Sequence, residues 1–90
     1  MRVNQRRSDI EIIAEMLRIG EQGAAKTKIM YNVNMSYSQM KKYLQFLLSH
    51  GYLHSVRASN LSVTYQATER GLSLLKSIDS FIEILGLNGD

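Results

Sequence analysis

Lys26-Thr-Lys-Ile-Met-Tyr-Asn-Val-Asn-Met-Ser-Tyr-Ser-Gln-Met-Lys-Lys-Tyr-Leu-Gln-Phe-Leu-Leu-Ser-His-Gly51 is the stretch on which the fold of this chain turns. Residues 26–33 read as a short helix with Ile29, Met30 and Val33 on its apolar side. Asn32 and Asn34 favour a turn, and Ser36 with Gln39 three residues later forms a capping box that starts a second helix at once. Two helices joined this tightly make a helix-turn-helix. The second of them is predicted from about Tyr37 to His50, ended by Gly51. Projected at about 100° per residue, Met40, Tyr43, Leu44, Leu47 and Leu48 share one arc of about 140°. Ser38, Lys42, Gln45 and Ser49 lie opposite, with Gln39 and Lys41 at the margins. Phe46 falls outside the apolar arc and is expected to touch a neighbouring helix or a second subunit.

Working outward, Ser8 and Glu11 form another capping box before a helix predicted from about Asp9 to Ile19. That helix has two apolar rows, Ile10, Ile13, Ala14 and Leu17 on one side and Ile12, Met16 and Ile19 on another, so it is expected to be covered twice. Gly20 and Gly23 read as its stop and as a loose connection. Beyond Gly51, the β-prone runs Leu53–Arg57 and Ser62–Ala67 flank Ala58-Ser59-Asn60-Leu61, which predicts a hairpin with Val63, Tyr65 and Ala67 on one face. Thr68 then caps a last helix, with Glu69 at its positive end. Leu72, Leu75, Ile78, Ile82 and Leu85 form one stripe on it, and Leu74, Phe81 and Ile84 a second. The order defines a mainly α fold with a small β-hairpin, a winged helix-turn-helix of three helices, hairpin wing and C-terminal helix. Residues 1–7, with Arg2, Arg6 and Arg7, are expected to be a flexible basic arm, 8–68 the domain, 69–86 the helix of dimerisation and 87–90 a tail.

The chain has 90 residues, 44% hydrophobic and 21% charged, a composition that suits one globular domain. It has no cysteine, which excludes a disulfide framework, a thiolate zinc site and a cysteine nucleophile, and makes an intracellular home the expectation. Its short apolar runs fall far below the ~20 residues of a membrane span, and the polar start lacks a signal-peptide core. The net charge is +3, with all eight acids confined to Asp9, Glu11, Glu15 and Glu21 at one end and Glu69, Asp79, Glu83 and Asp90 at the other. Residues 22–68 contain none, yet hold Lys26, Lys28, Lys41, Lys42 and Arg57. Such a one-sign stretch is the electrostatic footprint of a surface for nucleic acid.

Candidate contacts follow from that footprint. Lys41 and Lys42 suit phosphates or guanine edges, and Gln45 can pair bidentately with adenine; the bland alternative is a solvated helix face. Ser38 and Gln39 lie beside them. Ser36 is a cap close to where a phosphate would sit, and Tyr37 is either a phosphate contact or a packed ring. Lys26 and Lys28 suit phosphates across the groove, or are plain surface lysines. Arg57, Ser59 and Asn60 mark the hairpin tip as a wing. The surplus apolar surface, Ile12, Met16, Leu74, Ile78, Phe81, Ile82 and Leu85, is expected to be a homodimer interface rather than intrachain packing. His50 and His54 flank Gly51 without a carboxylate, too few ligands for a metal. No nucleophile elbow, phosphate-cradling loop or paired-acid motif is present, so neither catalysis, a cofactor nor a small-molecule ligand is expected.

The runs Thr27-Lys28-Ile29-Met30-Tyr31, Asn34-Met35-Ser36-Tyr37, Tyr43-Leu44 with Leu47, Gly51-Tyr52-Leu53 and Tyr65-Gln-Ala-Thr-Glu-Arg-Gly-Leu-Ser-Leu-Leu75 resemble the small archaeal winged-helix proteins typified by the Sulfolobus ten-a chromatin protein. The resemblance covers residues 8 to about 80 and is most specific from Lys26 to Tyr37. It implies a homodimer that binds double-stranded DNA in the cytoplasm as part of the nucleoid, helix 3 in the major groove, the hairpin as wing and the last helix paired with its partner's. The ten-a type continues that helix into a long antiparallel coiled coil, whereas here the helical pattern ends at Gly86, so the pairing is expected to be shorter, different or absent. A transcriptional regulator or an architectural chromatin protein fits this reading. The alternative is a winged-helix module whose basic face docks an acidic protein.

Overall fold

A computed structural model describes residues 8–86; the expected arm at 1–7 and tail at 87–90 lie outside the described residues. Local capping fixes where the helices begin. In α1 (Asp9–Gly20) the Ser8 hydroxyl accepts from the Glu11 amide at 3.2 Å while the Glu11 carboxylate accepts from the Ser8 amide at 3.0 Å. α2 (Lys26–Val33) has no side-chain cap and ends at Asn34, whose left-handed φ of 55° an asparagine tolerates well. α3 (Tyr37–Ser49) repeats the reciprocal cap with Ser36 and Gln39, at 3.3 and 3.4 Å. β1 (Leu53–Arg57) pairs antiparallel with β2 (Val63–Ala67), Leu53 opposite Ala67 and Arg57 opposite Val63. α4 (Glu69–Leu85) completes the order. The expected ends hold to within one residue.

The start of α4 is tied to the end of α3. The Thr68 hydroxyl donates to the Gly51 carbonyl at 2.6 Å and accepts from the Gly71 amide at 2.9 Å, so one side chain caps α4 and anchors it. Gly71 lies so close to the hairpin that a Cβ there would overlap the Tyr52 carbonyl oxygen.

The connection from α1 to α2 is not loose. Ala24 donates to the Tyr65 carbonyl at 3.0 Å and Tyr65 donates back at 2.8 Å, so residue 24 adds a one-residue third strand to the hairpin. Gly20 is also not the left-handed stop that its position suggested. It is the last residue of α1, buried where a Cβ would come within 2.9 Å of Leu53 Cδ2 and 3.2 Å of the Ala67 amide nitrogen. Its function is close approach of helix to hairpin, and the positive φ of 82° falls to Gly23.

α1 is the central helix, in contact with α2, β2 and α4. That placement corrects the sequence reading at Ile12 and Met16, which are 6% and 0% exposed within the protomer core and so have no surface to offer a second subunit. Both rows on α1 are covered by the protomer, Ala14 and Leu17 as fully as Ile12 and Met16, with Ile13 and Ile19 packed partly against the core and only Ile10, at the start of the helix, 47% exposed. Each buried side chain of the size of Met16, Leu17, Ile29 or Leu47 contributes about 1.5–3 kcal/mol by leaving water. Of the large apolar side chains on α4 only Leu75 is buried, with Leu74 and Ile78 packed partly against the core; Leu72, Phe81, Ile84 and Leu85 are open to solvent. Two surface links hold the outer helices to α1. Arg18 donates to both oxygens of Asp79 at 3.0 and 3.3 Å, and Tyr43 donates to Asp9 at 2.6 Å.

Candidate nucleic-acid interface

The burial of Met40, Leu44 and Leu47 fixes the rotation of α3, so that Ser38, Lys42, Gln45 and Ser49 form an exposed ridge on its far side. Lys41 flanks that ridge. All twelve candidate contact residues, Lys26, Lys28, Ser36, Tyr37, Ser38, Gln39, Lys41, Lys42, Gln45, Arg57, Ser59 and Asn60, are exposed. Among the described residues no carboxylate pairs with any of the five cations in that set. Three of the acids are engaged elsewhere, Asp9 with Tyr43, Glu11 in its cap and Asp79 with Arg18.

Tyr37 gathers two of the lysines. Lys26 Nζ, from the first residue of α2, lies 5.3 Å from the centre of its ring, and Lys41 Nζ, from the second turn of α3, lies 5.9 Å away. Both distances are within reach of a cation–π attraction, which offsets part of the mutual repulsion of two ammonium groups. The ring is thus neither a buried packing element nor an isolated surface residue. It sits between two cations brought together from separate helices.

Two candidates already have structural partners. The Gln39 carbonyl oxygen accepts from the Ser36 amide and lies 3.3 Å from its hydroxyl, which leaves only the amide NH₂ of Gln39 for a ligand. Asn60 accepts from the Ser62 hydroxyl at 2.7 Å and from the Ser62 amide at 3.2 Å, and so shapes the hairpin turn. Arg57, Ser59 and Asn60 form a separate group at the hairpin tip, with no hydrogen bond or ring contact to the α3 residues among the described residues.

Phe46 finds its neighbours in its own chain. Its ring centre is 4.3 Å from that of His50 and 6.2 Å from that of Tyr52, across the Gly51 turn, and Arg70 lies 5.1 Å over the Tyr52 ring. His50 Nδ1 sits 3.0 Å from the Phe46 carbonyl oxygen, at the carbonyl end of α3. Among the described residues no three of the metal-ligating types cluster. The Tyr43 phenol is held above its ordinary range by its hydrogen bond to Asp9, then by burial and by the carboxylate's charge, and Arg18 is raised chiefly by its hydrogen bond to Asp79.

Two exposed residues escaped the sequence reading. Tyr31 is 86% exposed beside a groove of about 610 Å³ between α2 and α3, lined also by Asn34, Ser36 and Gln39. Its position off the Ile29–Val33 side of α2 was the available signal. Leu61 is 72% exposed at the hairpin tip with φ of 69°, and no glycine marks that turn in the sequence. Among the described residues no helix is long and apolar enough to cross a membrane.

The sequence profile of winged helix-turn-helix proteins matches residues 6–86. An uncharacterized protein of Methanocaldococcus jannaschii is 33% identical over 81 residues, which cover 89% of this chain and 78% of that one. Among solved structures, Sso10a-2, a DNA-binding protein from Sulfolobus solfataricus, superposes with a TM-score of 0.79 at 30% identity, over 89% of this chain and 83% of its own. Lactococcus lactis ZitR, in a mutant form in complex with DNA, shares the fold with a TM-score of 0.65 at 22% identity, over 97% of this chain and 68% of its own.

Proposed function

The chain belongs to the winged helix-turn-helix family, and from that premise we propose that it binds double-stranded DNA with α3 in the major groove and the β1–β2 hairpin as wing. The observation that carries the proposal is the cationic surface built from Lys26, Tyr37 and Lys41 beside the ridge of Ser38, Lys42, Gln45 and Ser49, all from a stretch of sequence that contains no acid. Lys26, Lys28, Lys41, Lys42 and Arg57 hold phosphates and set the register of the protein on the duplex. Base choice comes from Lys42, Gln45 and Ser38, of which Gln45 has the bidentate geometry for adenine. Gln39 contributes through its free NH₂, and Ser36 and Asn60 chiefly by shaping the backbone that meets DNA.

The assembly is a homodimer through the distal half of α4, with Phe81, Ile82, Ile84 and Leu85 at its centre and Leu74 and Ile78 at its edge. A two-fold arrangement sets two copies of α3 about 34 Å apart, one DNA turn, and so reads a pseudo-palindrome. The chemistry is non-covalent, and the cellular role is that of a transcriptional regulator or an architectural protein of the nucleoid.

Salt dependence tests this. The logarithm of the association constant for duplex DNA falls linearly with log[salt], and Lys41→Ala and Lys42→Ala each lower the slope by about 0.9 for every phosphate that the lysine no longer neutralises. Absence of binding at about 50 mM salt would sink the reading; a basic face serving an acidic protein instead gives that result. Comparing a duplex that carries a candidate pseudo-palindrome with a random duplex at one salt concentration separates a regulator, with a large affinity ratio, from a packaging protein, with a small one.

A further inference from the structure

Leu61 bears two costs at once. Its φ of 69° lies in the left-handed region, where a leucine Cβ crowds the backbone and glycine or asparagine sits with far less penalty. Its side chain is also 72% exposed. The conformation is well held. Ala58 donates to the Ser62 carbonyl at 2.8 Å, Leu61 donates to the Ala58 carbonyl at 2.9 Å, and Asn60 accepts from both the amide and the hydroxyl of Ser62. The turn thus holds up a single apolar side chain in the one position where a residue of that type fits worst.

We propose that Leu61 is a wedge that enters the DNA minor groove beside the site of α3, partly unstacks a base step and bends the duplex. The proposal rests on the DNA-binding reading above. Its chemistry is that of apolar side chains which pry base steps apart from the minor groove. A narrow tip suits a groove about 6 Å wide. The residues around Leu61 are small or polar, Ala58, Ser59, Asn60 and Ser62, and all exposed. They supply no apolar surround of the kind that a protein-binding hot spot needs. Arg57, at the foot of the turn, is placed to meet a flanking phosphate, and residues 22–68 contain no acid to repel one. Leu61 therefore adds deformation of DNA to a site otherwise made of phosphate and base-edge contacts.

The experiment uses the full chain and duplexes that carry 2-aminopurine at successive steps, with donor and acceptor dyes at the ends. Wild-type protein brightens 2-aminopurine at one step and shortens the end-to-end distance. Leu61→Ala weakens binding about tenfold, the loss expected for an apolar contact of this size, and abolishes both signals. It leaves the salt slope unchanged, because no counterion is released at an apolar contact. Leu61→Gly has the same effect on DNA while it relieves the backbone and raises the melting temperature, so loss of binding is separated from damage to the fold. Variants that bind and bend DNA as the wild type does overturn the wedge alone. A fall in salt slope with Leu61→Ala also overturns it, since the substitution would then act through Arg57. A wild type that binds no duplex overturns the DNA-binding reading and the wedge with it.

Discussion

α3 and α4 are both capped and amphipathic, yet they present opposite chemistry to water. α3 buries most of its apolar arc, and what remains outside is chiefly polar and cationic, Ser38, Gln39, Lys41, Lys42, Gln45 and Ser49, with Tyr37 at its start and Phe46 at one margin. α4 has two apolar stripes, and the core covers only the N-terminal half of them around Leu75. Beyond Ile78 the helix exposes Phe81 at 54%, Ile84 at 79% and Leu85 at 52%. A polar exposed face is stable alone and waits for a charged ligand, whereas an apolar one is a standing cost in free energy until another apolar surface covers it. The difference is what the proposed reading rests on, in which one helix meets DNA and the other a second copy of the chain.

The comparison is broken most severely by truncating the side of α3 that faces inward. Leu47, fully buried, is expected to lose about 3 kcal/mol on Leu47→Ala, the range for a core leucine that leaves a cavity. Ile84→Ala on α4 should change the stability of the isolated protomer by less than about 0.5 kcal/mol. Urea denaturation at low protein concentration measures both. Equal losses would mean that the end of α4 is covered by its own chain.

Somewhat smaller is the effect on self-association. Phe81→Glu with Leu85→Glu is expected to weaken the dimer about a hundredfold, roughly 2.7 kcal/mol, without unfolding the domain. Sedimentation across a concentration series reads the constant directly. A wild type that stays monomeric at about 100 μM, a concentration at which interfaces of micromolar affinity are filled, would remove the dimer. So would a double variant that still pairs.

The same two helices mark what could be read from sequence. Ser8 with Glu11, Ser36 with Gln39, and Thr68 announce helix starts through contacts three residues long, and Gly51 announces an end, so the boundaries were legible. The exposed ridge of α3 was legible too, since one helical projection separates Met40, Leu44 and Leu47 from Ser38, Lys42 and Gln45. What depends on distant parts of the chain was not. Periodicity shows that α1 has two apolar rows but not what covers each; α2, β2 and α4 of the same chain do so, and Ile12 and Met16 join Ala14 and Leu17 in the core. The pairing of Ala24 with Tyr65, the close approach at Gly20 and Gly71, and the meeting of Lys26 with Lys41 over Tyr37 all join residues from different elements. Leu61 was hidden for another reason, because its type argues against the conformation it adopts.

The smallest expected effect concerns how each helix is fastened to α1. α4 is held by Arg18 and Asp79, α3 by Tyr43 and Asp9, and the two links differ in their response to alkali. The hydrogen bond to Asp9 raises the Tyr43 phenol above its ordinary value near 10, because ionisation would remove the proton being donated and set two negative charges together. A group whose folded-state value is raised stabilises the fold fully below its unfolded value and loses that contribution as pH rises through the folded one. The guanidinium of Arg18 is raised in the same sense from an already higher value, so it stays charged over that interval. As pH rises above about 10 and the phenol ionises, the α3 link is therefore lost while the α4 link persists. Tyr43→Phe should destabilise the protein by less than about 1 kcal/mol at pH 7, as befits an exposed polar pair, and the gap from wild type should close over that alkaline interval. Arg18→Gln should leave its own gap constant there. Denaturation midpoints at matched ionic strength decide it, and a Tyr43→Phe gap that is flat with pH would show that the phenol makes no such bond to Asp9 in solution.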